Sequence, residues 1–380
     1  MAVEVLPPVT VTGLQDAGPN VVRLKLKGKV IGGWLSVRVT RGIERCPSDF
    51  ELVMTEGFTA RNGDVVKVVV APLDPCEILI GKDLVLTGYV DRVSPVINSN
   101  THTIMVAGRG KCQDIVDCSA IWPGGQITNS SVLQVAQKLS EPYGIVVNAA
   151  PMQDVGPTIP SFNVTYGESA YAIIEFMCRY RGLLVYELPD GSLHLSRATT
   201  EKHAASGFEE GVNIERAQSD YSVDQRYSHI GVFSQTTNTF QETGELNLMV
   251  AQVQDQRITR YRNLFVVNEA FGPDLTVHVQ RAEWEKNRRY GRSQRISLTT
   301  DSWRDESGSL YEPNTLVTIK APKLLAMPSN KWLISEVTYR RDDSGTHCDL
   351  VLMPPEAFSL PPIVIQTWPD VRPLSTGGAP

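Results

Sequence analysis

Asp114 and Asp117 stand three positions apart in the run Gln113-Asp114-Ile115-Val116-Asp117-Cys118. On one helical turn the two carboxylates share a face, and a carboxylate pair is what glycoside hydrolysis requires. The competing reading is a solvated helix face, with Glu168 and Glu175 as cap and surface. Cys112 and Cys118 are the nearest pair among six cysteines, and His102 lies ten residues before Cys112. A zinc site needs four ligands at short paired spacings, and no C-x-x-C occurs, so the cysteines read as buried reduced thiols. Gly108-Arg109-Gly110-Lys111 is a glycine-basic turn that lacks a long phosphate-cradling loop. Motifs for a P-loop, a zincin helix, a nucleophile elbow or a dinucleotide fold are missing. The six histidines are scattered, with none at helical spacing from another. No catalytic residue, metal or cofactor is expected.

Two further groups suit binding better than catalysis. Trp303-Arg304-Asp305 and Tyr311 surround a Ser307-Gly308 turn between strands, and Trp and Arg on loops are favoured interface residues. The alternative is a Trp packed over its own barrel mouth. Phe358 and Trp368 lie in a Pro-rich tail where no local element can bury them, so they are expected to dock on a neighbour. Trp303, Arg304, Phe358 and Trp368 are thus the candidate partner-binding residues. Arg288, Arg289, Arg292 and Arg295 form a basic strip, which helix-end electrostatics explain without a phosphate ligand.

The elements that must position these residues are mostly strands. The chain has 380 residues, is 42% hydrophobic and 21% charged, and has a formal net charge of −6, which excludes a disordered chain and a basic duplex-binding protein. Its start has no signal-peptide pattern and no apolar run reaches bilayer-spanning length, so folding in a cytosol is expected. Trp34 to Arg41 alternates with period two, as do Phe50, Leu52 and Met54. Asn62-Gly63-Asp64 marks a hairpin. Strands are expected at Leu84 to Val93 and Thr103 to Val106. After Gly108 the texture becomes mixed. Ser131 precedes a short helix, and Ala170, Ile173, Ile174 and Met177 mark a longer one ended at Gly182. Asp274 can cap a helix through Tyr290, with Gly291 after it. Strands return at Arg295 to Thr299, Thr315 to Ile319, Trp332 to Val337 and Asp349 to Met353.

The two strand-rich ends echo each other. Leu86-x-x-x-Val90 followed by Thr101-His102, Met105 and Val106 is matched by Leu333-x-x-x-Val337 followed by Thr346-His347, Leu350 and Val351. Chance similarity between hairpins is the rival explanation. A duplication would let three chains present six similar units, and closed rings are the usual oligomers.

Leu86-Thr87-Gly88-Tyr89-Val90-Asp91, the strand ending Val106-Ala107-Gly108-Arg109, and the run Gln113 to Ser119 resemble the baseplate hub proteins of contractile-tailed phages. The G-R-x-K-x-Q-D-x-V-D-C-S run is similar to the phage Mu type in particular, and Trp303 to Asn314 fits the same group. The Pro-rich tail has no counterpart in that pattern. The resemblance implies a mixed α+β, mainly β chain with two tail-tube-like β-barrel domains flanking smaller α+β domains. The expected divisions are a first barrel at 1–110, α+β domains at 111–155 and 156–215, a second barrel at 216–355 interrupted near 240–291, and a tail at 356–380. It implies an enzymatically silent homotrimer that joins a sixfold tail tube to a threefold spike, contacts other baseplate proteins, and passes DNA through its channel without specific binding. The protein would reside in the virion baseplate after assembly in the host cytoplasm. A tail-associated cell-wall hydrolase and a receptor-binding β protein are the alternatives. The net acidic charge suggests a neutral or acidic channel wall that does not hold phosphates.

Overall fold

The computed structural model describes residues 18–55, 57–59, 65–67, 70–99, 102–150, 158–180, 182–235, 248–267, 275–324 and 331–358. Nine strands come first: β1 (Val22–Leu26), β2 (Lys29–Ile31), β3 (Ser36–Gly42), β4 (Arg45–Thr55), β5 (Gly57–Thr59), β6 (Val65–Lys67), β7 (Pro75–Ile80), β8 (Asp83–Ile97) and β9 (His102–Gly110). Then come α1 (Gln113–Asp117), β10 (Gln126–Ser130), α2 (Val132–Ser140), β11 (Val147–Ala149), β12 (Ile159–Asn163), α3 (Ala170–Tyr180), β13 (Leu184–Glu187) and β14 (Leu193–Ser196). Next are β15 (Phe208–Glu209), β16 (Arg216–Tyr221), β17 (His229–Gln235), β18 (Leu248–Gln254), β19 (Asn263–Val267) and α4 (Leu275–Arg292). The last elements are β20 (Gln294–Thr300), β21 (Leu316–Val317), β22 (Ile319–Lys320), β23 (Trp332–Asp342), β24 (Gly345–Met353) and a 3-10 turn at Pro355–Phe358. The chain is mixed α+β and mainly β. The Asn62-Gly63-Asp64 turn, Asp274 and the tail beyond Phe358 lie outside the described residues.

Strands from both ends of the chain form one sheet, in the order β16-β20-β24-β23-β3-β4-β9-β8-β7-β1-β2, with β21 also on β23. Among the described residues this path is open, and strand pairing closes neither end into a barrel of its own. The cause is lateral: β23 pairs antiparallel with β3, so the two halves share a seam. They also share a core. Val37, Val39, Phe50, Leu52 and Val106 lie in one apolar cluster with Leu298, Trp332, Val337, Tyr339 and Leu350.

The two halves follow one plan. In the first, the spatial order is β3-β4-β9-β8-β7; in the second it is β16-β20-β24-β23-β21, and every neighbouring pair is antiparallel. Numbered along the chain, both read first, second, fifth, fourth, third. Finer marks repeat as well. β8 bulges at Asp91, between the pairs Val90↔Gly108 and Arg92↔Ala107. β23 bulges at Ser335, between Ile334↔Leu352 and Glu336↔Val351. Val90 accepts from Leu73 N at 2.7 Å and donates to Asp74 O at 3.0 Å; Ile334 accepts from Asn314 N at 2.9 Å and donates to Thr315 O at 2.9 Å. Leu73 and Asn314 both have positive φ, 73° and 57°, and both follow a proline. A positive φ is uncommon outside glycine, so its recurrence at the matching position is a specific mark. The bulges equate Val90 with Ile334 and Val106 with Leu350. The sequence echo had set Val90 against Val337 and Val106 against Val351. Period-two patterns look alike at several offsets, so the sequence matched the halves out of register, although Val90 to Val106 and Ile334 to Leu350 span the same number of residues.

Between the halves sits an α+β unit with one core, from Cys112 to Leu195. It crosses the division near 155 that the sequence suggested, because β11 pairs in parallel with β14. Helix α2 opens on a capping box, Ser131 with Gln134, and Ala170, Ile173, Ile174 and Met177 are all buried on α3. A further unit, β17 to α4, occupies the interval between β16 and β20, with sheet order β18-β17-β19. β17 therefore pairs inside this unit rather than in the main sheet. Buried Arg226 and Asp255 meet there at 2.6 Å. Gly291 lies inside α4, not after it; a Cβ there would fall 2.2 Å from Ala357 N, so the glycine admits the Pro355–Phe358 turn.

Glu187 joins the first half to the α+β unit. Its buried carboxylate accepts from Ser48 N at 2.9 Å and from Cys112 N at 2.8 Å. Burial raises its pKa above the ordinary 4.5, although the two N–H donors oppose that shift. A raised folded-state pKa contributes stability that is full below the ordinary value and is lost as pH rises through the folded one. Glu187→Ala leaves two buried donors without an acceptor and is expected to lower stability by about 2–4 kcal/mol in urea unfolding. The gap from wild type should narrow as pH rises above 4.5. A gap that widens with pH would contradict this account.

Candidate functional site

The seam is the first functional feature. Six pairs run from Glu336↔Gly42 to Arg341↔Val37. Thr40 and Thr338 hydroxyls meet across it at 3.1 Å. Arg38 and Arg340 lie directly opposite each other, a repulsive arrangement for like charges. Each has its own counter-ion: Arg38 pairs with Asp49 at 2.6 Å, and Arg340 with Asp342 at 2.6 Å and Asp349 at 3.2 Å. Arg45 crosses to Glu336 at 3.1 Å, and Arg292 reaches Glu44 in the adjoining turn. These ion pairs are partly exposed and add little energy singly; the backbone ladder and the core beneath it hold the seam.

The second feature is the loop from Trp303 to Tyr311. Arg304, with 11% of its side chain exposed, binds the first half of the chain. Its guanidinium donates to Asp83 at 2.7 Å, Pro19 O at 2.8 Å, Ile80 O at 3.1 Å, Asn20 at 3.3 Å and Gly308 O at 2.7 Å. Such a planar donor fork is well suited to converging acceptors. Trp303 is fully buried and its indole N–H donates to His347 O at 2.8 Å. Tyr339 stacks edge-on against it, 6.1 Å between centroids.

The expected partner-binding residues therefore make intrachain contacts wherever they are described. Trp303 packs over its own sheet. Arg304 clamps the two halves together. Phe358 is 2% exposed in a small core with Ile43, Leu184, Leu316 and Leu333, because the turn that carries it seats against α4. Phe358 was expected to dock on a neighbour, and the residues that bury it, Ile43 and Leu184 among them, are distant in sequence. Trp368 lies outside the described residues.

The candidates for chemistry are also structural. Asp117 holds Arg109 through two bonds, 3.1 and 2.8 Å, and Arg109 reaches Asp91 at 2.8 Å. The Asp117 bond leads in holding that guanidinium protonated. Burial, and then the charge of Asp117, push Asp114 above the ordinary carboxylate range. A Cβ at Gly110 would lie 1.9 Å from the Glu187 carboxylate, and Lys111 donates to Gly144 O at 2.6 Å. The glycine-basic run is thus the joint between sheet and α+β unit. Burial pushes the Cys76 thiol up to about 12, away from reactivity. Arg289 pairs with Glu285 at 3.1 Å, Arg288 lies over Trp284 and Arg292 pairs with Glu44, so these three arginines of the basic strip have partners within the chain. An open cleft of about 770 Å³ near His194, Lys202 and Asn314 is lined by groups bound to one another, such as Lys202 with Glu312 at 2.7 Å. Among the described residues, no cluster of three metal-ligating side chains occurs.

The described residues thus form a doubled β plan on one sheet, clamped across its halves by Arg304, a fold shared with structural tail proteins of phages. Solved structures agree: a 43 kDa tail protein of prophage MuSo2 from Shewanella oneidensis matches with TM-score 0.78 and 30% identity over 90% of this chain and all of that one. A tail protein from Neisseria meningitidis has the same fold, TM-score 0.74 at 18% identity, over 90% of this chain and 98% of that one. Baseplate hub protein gp44 of Escherichia phage Mu is 30% identical over 349 residues, 90% of each chain. Residues 21–110 match the Mu phage baseplate assembly protein GpP-like N-terminal domain, 112–197 the second domain of gp44-like baseplate hub proteins, and 276–361 the fourth domain of GpP. The chain belongs to the Mu-type baseplate hub family. It is a virion tail component, and its relatives are structural proteins rather than enzymes, which removes the hydrolase alternative.

Arg304→Ala should lower stability by roughly 2–3 kcal/mol, the range for bonds to a charged group. Amide exchange should rise in Ile78–Ile80 and in 303–311 together. Faster exchange in the loop alone would show that Arg304 does not clamp the halves.

Proposed function

We propose that three copies form a ring in which each chain supplies two tail-tube-like β-barrel modules. One module is built on β3-β4-β9-β8-β7 within residues 1–110. The other is built on β16-β20-β24-β23-β21 within 216–355 and is interrupted by the β17-to-α4 unit. The α+β region between them and the tail at 356–380 complete the chain. Six similar modules would face a sixfold tail tube, while the threefold chain symmetry would face the spike and neighbouring baseplate proteins. DNA would pass through the central channel without specific binding, past a wall that is neutral or acidic in keeping with the net charge of −6. Assembly would take place in the host cytoplasm.

The observation that carries this reading is the recurrence of one strand order, one bulge and one positive-φ residue in both halves, already joined side by side in the chain. Lateral joining of like units is the step that builds a ring. In sedimentation at micromolar concentration the protein is expected at three times its 41.9 kDa chain mass. It should also co-purify with the tail tube protein. A stable monomer under those conditions would overturn the ring.

A further inference from the structure

The seam inside the chain specifies what its two loose ends require. Among the described residues β16 ends the sheet on one side and pairs with β20 alone. It occupies in the second half the place of β3 in the first. β8 carries β7 on its Asp83–Tyr89 stretch, but among the described residues no strand pairs with that edge beyond Val90. The matching stretch of β23, from Glu336 to Arg341, is where β3 sits. One free edge is therefore the socket of the seam and the other is its insert.

We propose that β16 of one chain pairs antiparallel with β8 of a second copy, in the register of the internal seam. This rests on the ring reading above and gives it a defined interface. The bulges equate Arg92 with Glu336, and the β20 and β4 pairings equate Ala217 with Val37. Transferring the seam pairs then sets Arg92 opposite Ser222, Val93 opposite Tyr221, Ser94 opposite Asp220, Pro95 opposite Ser219, Val96 opposite Gln218 and Ile97 opposite Ala217.

The side chains suit that register. Val93, Pro95 and Ile97 would meet Tyr221, Ser219 and Ala217 on one face. Val93 and Ala217 are the partly buried flanks of the main core cluster, and Ile97 and Tyr221 are 74% and 38% exposed in the single chain. Their face continues the one on which Val337 and Tyr339 are buried at the internal seam. The other face brings Arg92 diagonal to Asp220, an opposite-charge pair. A slip of one residue would turn Tyr221 toward the polar face and break both matches. Pro95 has no N–H, so its rung carries at most one bond; proline is a usual guard against indiscriminate pairing at an edge. Because the insert and socket differ, the contact is heterologous and continues from chain to chain until the ring closes.

Paired cysteines test the register. Ser94→Cys with Asp220→Cys, oxidised in the assembled protein, should give covalently linked multimers up to a trimer that wild type, with its native cysteines, does not give. Ser94→Cys with Arg216→Cys, four positions away, should not link. Asp220→Arg should raise the dissociation midpoint about tenfold, and adding Arg92→Asp should reverse that loss. A trimer in sedimentation that fails to link through Ser94→Cys and Asp220→Cys, or that links through the distant pair, overturns this register while leaving the ring intact. A monomer in sedimentation overturns both.

Discussion

An exposed strand edge is a row of backbone donors and acceptors that seek a partner. This chain satisfies one such edge internally, by laying β3 against the far stretch of β23. Almost everything else follows from that contact. It turns two halves into one sheet, merges their apolar faces into a single core, and sets the distance that Arg304 must bridge from the second half to Asp83 and Ile80. Among the described residues it also leaves one edge of each kind without a partner strand. Polymerisation by repetition of an internal contact needs no new chemistry, only the same ladder again.

The α+β unit is joined to that sheet by a small set of buried and charged contacts. Its attachment uses the most specific stretch of the sequence, Gly108 to Ser119. Gly110 makes room for Glu187, Glu187 caps two backbone donors from different units, and Arg109 ties the β8 bulge at Asp91 to helix α1. Buried acceptors of this kind are costly to leave unmatched, so the residues around them act as a set. The run that holds the Gly108–Lys111 turn and the Asp114 and Asp117 pair is a joint between the sheet and the α+β unit.

Much of the fold was legible in the sequence because it depends on local periodicity. The strand alternation of β3 and β4, the buried stripe of α3 and the cap of α2 all involve residues within a few positions of each other. Register was not legible. The equivalence of Leu73 with Asn314, two residues that look nothing alike, depends on a backbone shape that the strands on either side impose. The fate of Phe358 was hidden, and that of Trp303 left between two readings, for a similar reason. Each is buried by elements distant in sequence, His347 and Tyr339 for the one, Ile43 and Leu184 for the other. Exposure inferred from neighbouring residues fails where the core is assembled from both ends of the chain.

The central claim is that two halves of one polypeptide act as equal units of a ring. End-on electron microscopy of the purified assembly tests it directly. The averages should show six similar lobes about 60° apart, alternating subtly with threefold symmetry. Three lobes without an intervening set, or a second set unlike the first in size and radius, would contradict it.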